Sequence, residues 1–78
     1  MKVGHASYGY YDDTYDFLVV GKYIYVTSSM YGFLGFAATP EAIADMLKDD
    51  VDNIDRRDII EVVNAAISIA SDEKPYEN

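Results

Sequence analysis

Two runs rich in β-branched and aromatic residues lie one dipeptide apart. They are Tyr15-Asp16-Phe17-Leu18-Val19-Val20 and Tyr23-Ile24-Tyr25-Val26-Thr27, with Gly21-Lys22 between them. Gly followed by any residue suits a two-residue type II′ loop, so the segment reads as a β-hairpin. A loop that short leaves one register: Val20 faces Tyr23, Val19 faces Ile24, Leu18 faces Tyr25 and Phe17 faces Val26. Phe17, Val19, Ile24 and Val26 then share one face, which is wholly apolar and has to be covered. Leu18, Val20, Tyr23 and Tyr25 share the other face, which is amphipathic and is either a second buried face or an exposed contact surface.

The rest of the chain supplies the cover. Lys2 to Tyr11 is expected as a strand weakened by Gly4 and Gly9, with Asp12-Asp13-Thr14 as the turn into the hairpin. Ser28-Ser29 is a turn signal, and Met30 to Ala37 is expected as a last irregular strand or a tight packed loop. Thr39-Pro40-Glu41 starts a helix: Thr caps, Pro suits the first helical position, and Glu complements the dipole. That helix is expected from Pro40 to about Asp49, with Ile43, Met46 and Leu47 inward and Asp45 and Asp49 outward. Residues 50–54 connect it to a second helix capped by Asp55, with Asp58 in its first turn, running from Arg56 to about Ser71. Its polar positions, Glu61, Asn64, Ser68 and Ser71, form one narrow stripe, and nearly all other positions from Ile59 are apolar. A helix apolar over most of its circumference needs cover on several sides, from the sheet, the first helix or a second copy. The order predicts an α+β fold: an antiparallel sheet of three to four strands packed against two C-terminal helices. One domain is expected over 1–78, β-rich over 1–38 and helical over 39–71, with a frayed tail from 72 to 78.

Composition removes several function classes. The chain has 78 residues, is 50% hydrophobic, and has no cysteine, so neither a disulfide nor a thiolate metal site is available. No run approaches the roughly 20 apolar residues that span a bilayer. Met1-Lys2-Val3-Gly4-His5 leads into no apolar core of a signal peptide, so a cytoplasmic location is expected. Net charge is −8, and it is uneven: residues 1–40 hold three acids against two bases, residues 41–78 eleven against four. Phosphate backbones and anionic lipid repel such a chain, so neither direct nucleic-acid binding nor membrane binding is expected. A basic protein surface attracts it.

No catalytic constellation is evident, and no enzyme is expected. His5 is the only histidine, and a serine triad would depend on it. Gly32 and Gly35 lack the Lys and the spacing of a phosphate loop. The Asp50, Asp52 and Glu61 spacing matches part of a calcium loop. Ile54 stands at the fifth position, however, and the Gly of the turn is missing, so no metal or other cofactor is expected. The helix pair from 40 to 71 has the outline of a DNA reader, but its exposed faces carry acids.

Two features remain. One is the aromatic, acidic segment from Tyr8 to Asp16. The other is the acidic series Asp45, Asp49, Asp50, Asp52, Asp55 and Asp58. Carboxylates four apart on a helix stand about 5–6 Å from one another, a spacing of the order of successive phosphates on a nucleic-acid strand. With its length, its acidity, its lack of cysteine and this series, the chain resembles small phage-encoded inhibitors of the anti-CRISPR and anti-restriction type. That resemblance implies a protein-binding inhibitor that docks on the basic, nucleic-acid-binding groove of another protein, as a nucleic-acid mimic. The residues expected in contact are Asp45, Asp49, Asp50, Asp52, Asp12, Asp13 and Tyr11. The alternative is a structural homo-oligomer or adaptor, joined through the helix at 56–71 or through the Tyr23/Tyr25 face, with its acids only solvating.

Overall fold

A computed structural model describes residues 2–51 and 53–72. Four antiparallel strands in sequential order form one sheet: β1 (Val3–Tyr10), β2 (Asp13–Val20), β3 (Tyr23–Ser28) and β4 (Gly32–Ala37). Two helices follow, α1 (Pro40–Asp50) and α2 (Arg56–Asp72). The fold is therefore the α+β sheet-and-helices arrangement that the element order predicts.

The central hairpin has the expected register, from Val20 opposite Tyr23 to Phe17 opposite Val26. Gly21 has φ +62°, the positive value that the first loop position of a type II′ turn requires. Phe17, Val19, Ile24 and Val26 are buried beneath the helices. Both helices lie on that side: α2 packs on β1 and β2, and α1 on β3, β4 and α2. Thr39 caps α1, its Oγ1 accepting from the Ala42 amide at 3.1 Å. The buried residues of α1 are Ile43, Ala44 and Leu47, while Met46 is half-buried.

Two expectations change, and one open choice is decided. The turn between β1 and β2 is Tyr11-Asp12, because Tyr10 pairs with Asp13 and the strand begins there. Of the two readings of the segment after Ser29, the irregular strand is the one that holds, with a register irregularity beside Val26 and Thr27 that leaves Leu34 outside the pairing. Gly4 is a seat for α2 and no weak point: a Cβ there would stand 1.9 Å from the Ala66 carbonyl oxygen and 2.6 Å from the Ala70 amide nitrogen. The missing side chain brings the helix backbone onto the strand. Hence Ile59, Val63, Ala66 and Ala70 are buried as one stripe, with Ile60, Val62 and Ile67 half-buried beside it. The expected frayed tail lies outside the described residues except for Asp72, which ends α2.

Candidate functional site

The meander brings the β1–β2 and β3–β4 turns to the same end of the sheet. One carboxylate ties them together. Asp13, the first residue of β2, is 7% exposed. Its Oδ2 accepts from Ser28 Oγ at 2.6 Å. Its Oδ1 accepts from Ser29 Oγ at 2.7 Å, the Thr14 amide at 2.7 Å and the Met30 amide at 3.2 Å. Ser28 Oγ also accepts from the Met30 and Tyr31 amides. Burial pushes the Asp13 carboxyl up, but the four donors outweigh it and hold the group below the ordinary aspartate range. Asp13 was expected as a partner contact. Both its oxygens are committed within the fold, so its role is to brace the two turns.

What the brace presents is aromatic. Tyr11 is 87% exposed and has φ +56°, a backbone region that non-glycine residues rarely adopt. Its ring meets Tyr10 edge-on, with centroids 4.6 Å apart. On the other turn Tyr31 is 75% exposed, and Met30 beside it is exposed as well. Residue counting misses Met30 and Tyr31, because only the pairing of β2 with β3 places the 28–31 turn next to Asp13. The sequence signal was Ser28-Ser29, two hydroxyl donors with no acceptor nearby in the chain.

Acids from the helices reach this end too. The α1 chain runs toward it, and its last residue, Asp50, acts on Tyr15. The Tyr15 hydroxyl is pushed up by burial and then by the negative charges of Asp13 and Asp50. Asp55 caps α2, accepting from the Arg57 amide at 2.9 Å. Asp58, one turn on, accepts from the Tyr8 hydroxyl at 3.2 Å. Burial and that bond raise the Tyr8 pKa.

The acidic series is thus not one outward row. Asp45 is bound to Arg56, whose Nε donates to Oδ1 at 2.8 Å, so its charge is partly cancelled. Asp49 is exposed on the same outward stripe of α1, whereas Asp50 stands about 100° round the helix and faces the turn end. Asp58 is turned toward the sheet by Tyr8. Asp52 lies outside the described residues. Of the residues expected in contact, the structure brings Asp12, Tyr11 and Asp50 to one end, leaves Asp49 and Asp45 along α1, and buries Asp13.

Ser7 Oγ donates to Asp16 Oδ1 at 2.6 Å, and His5 Nε2 lies 3.3 Å from the same oxygen. Among the described residues no three acidic or histidine side chains converge to hold a metal ion. A shallow depression of about 600 Å³ at the start of α2 is lined by Asp55, Arg56, Arg57, Ile60 and Glu61, with charges of both signs. Among the described residues no helix is long and apolar enough to cross a membrane. No protein-family model, curated protein or solved structure matches the chain.

Proposed function

We propose that the chain is a small binding module that docks the turn end of its sheet on a basic protein surface. The partner class is a nucleic-acid-handling complex, whose groove offers that charge, and blocking the groove makes the module an inhibitor. Such complexes work inside the cell, so the binding is cytoplasmic. The contact residues are Tyr11, Asp12, Tyr31 and Asp50, with Asp49 at the margin.

One observation supports this reading above the rest: Tyr11 and the end of α1 are residues the fold itself does not favour. A tyrosine at positive φ carries about 1–2 kcal/mol of backbone strain that glycine would avoid. Asp49 and Asp50 close α1 against the negative end of its dipole, where cations are favoured. Lys48 in the same turn offsets only part of that charge, and contact with a basic partner gives both choices a use, since tyrosine rings are strong interface anchors and carboxylates steer encounter. The Asp13 brace holds the turns in place before binding, which lowers the entropy cost of docking.

The test uses Asp49→Asn/Asp50→Asn and Tyr11→Gly with the full chain. The Asn pair is expected to raise Tm by about 2–5 °C. Both variants are expected to lose capture of basic, nucleic-acid-handling proteins from host lysate, capture that for the unaltered chain fades as salt rises. Undiminished capture by both variants, or capture that persists unchanged at high salt, refutes the proposal.

A further inference from the structure

The sheet has a second face, and among the described residues no element of the chain covers it. Across it run cross-strand rows: Val20 beside Tyr23, and Leu18 beside Tyr25 and then Phe36. Phe33 stands in the next row of β4, opposite Thr27. Phe33 and Phe36 are 61% and 55% exposed, and Leu18 and Tyr23 are exposed as well. Tyr23 and Tyr25 both pack their rings on Phe36, at centroid separations of 5.6 and 5.5 Å. With aromatic side chains contributing 150–250 Å² each, this patch exposes on the order of 500 Å² of largely apolar surface. That matches the largest patch of an ordinary monomer and is over half of the roughly 800 Å² each partner contributes to a standard interface.

Charge identifies the occupant. Asp16 is the one acid on this face among the described residues, and its Oδ1 already holds Ser7 and His5. The other described acids lie on the helices, in the α1–α2 connection or at the turn end. Two chains of net charge −8 repel each other through those surfaces and meet less repulsion here. A strongly basic partner, by contrast, is drawn to the turn end and finds little charge on the outer face.

We infer that a second copy of this chain covers the outer face, sheet against sheet. The face is divided: β3 and β4 carry Tyr23, Tyr25, Phe33 and Phe36, whereas β1 and β2 carry the aliphatic Val3, Leu18 and Val20 away from the turn end and the polar His5, Ser7 and Asp16 beside them. A two-fold axis running along the strands between β2 and β3 lays the aromatic half of each copy on the β1–β2 half of the other, with Leu18 and Val20 as its apolar contacts. Leu18 of one copy then lies against Tyr25 of its mate. The turn ends stay exposed at one end of the dimer, so each dimer presents two docking ends side by side.

Sedimentation of the full chain from micromolar to submillimolar concentration tests this. A two-state approach to twice the chain mass is expected, and it should tighten with salt as repulsion between the copies is screened. Leu18→Asp should weaken it about 100-fold or more by burying an unpaired carboxylate. Tyr23→Glu, nearer the rim, should weaken it less, with circular dichroism showing both variants folded. Tyr11→Gly should leave it unchanged, which separates this inference from the docking proposal. A monomer at every concentration, or a dimer indifferent to Leu18→Asp and Tyr23→Glu, overturns it. So does a dimer lost in Phe36→Asp but intact in Leu18→Asp, because that pattern marks edge-to-edge pairing through β4.

Discussion

At the residue scale, the carboxylate of Asp13 accounts for the shape of the turn end. It satisfies two hydroxyls and two amides that belong to different turns. Asp13→Ala leaves the buried Ser28 hydroxyl without its acceptor and unties Ser29 from the start of β2, and is expected to lower Tm by about 5–10 °C. Thermal melts check it, and a change under about 2 °C contradicts the bracing role. The same bonds give a pH dependence of definite sign. Asp13 and Asp16 titrate below the ordinary aspartate range when folded, Asp16 chiefly because Ser7 donates to it. The unfolded chain therefore takes up protons first as pH falls. The stability these groups contribute is complete above about pH 4 and is lost as pH drops from there through their folded values. Asp13→Asn is expected to flatten the acid limb of a Tm-against-pH curve. Tyr11 shows the opposite relation to the fold: Tyr11→Gly is expected to leave Tm unchanged or higher, since strain relief offsets the entropy of glycine. A fall beyond about 5 °C in a melt would show that Tyr11 holds the turn together.

At the element scale, the seating of α2 on β1 is the contact with least tolerance. At Gly4 the obstacle is backbone, the Ala66 carbonyl and the Ala70 amide, which cannot swing aside as a side chain can. Gly4→Ala is expected to cost about 2–4 kcal/mol, enough to unfold much of so small a domain at growth temperature. Chemical denaturation measures it, and a loss below about 1 kcal/mol would mean that α2 shifts without penalty. The helices were legible because their signals are local. Thr39-Pro40-Glu41 and Asp55 cap as their chemistry requires. The central hairpin was legible because a two-residue loop permits one register. The seat of α2 was not, because a glycine in a strand reads as weakness until something is found lying on it. The wide apolar surface of α2 was read as a need for cover on several sides. In the structure one stripe is buried, its flanks are half-covered, and the larger uncovered apolar surface is the outer face of the sheet.

At the scale of the whole molecule, the two proposed interactions use different surfaces and are expected to respond oppositely to salt. Docking of the acidic turn end on a basic partner should weaken as ionic strength rises, whereas self-association through the near-neutral sheet face should strengthen. Measuring both on one preparation separates them without a mutation. The candidate site was legible in part. Tyr11, Asp12 and Asp50 do share one end of the molecule, but the single row of carboxylates required for imitation of a nucleic-acid strand is broken by Arg56, which takes Asp45, and by Tyr8, which takes Asp58. Those partners stand 11 and 50 positions away along the chain, beyond any spacing rule.

Local chemistry alone determined where the strands and helices of this chain lie, which face of the hairpin is buried, and that its surface is anionic. Each of these follows from side-chain periodicity, turn length or charge count within a short window. Only the tertiary structure decided which aspartates remain available, that Asp13 is a buried brace, and that no described element covers the aromatic outer face of the sheet. Those outcomes depend on which residues distant in the chain meet in space, and pairing between strands and helices is what brings them together.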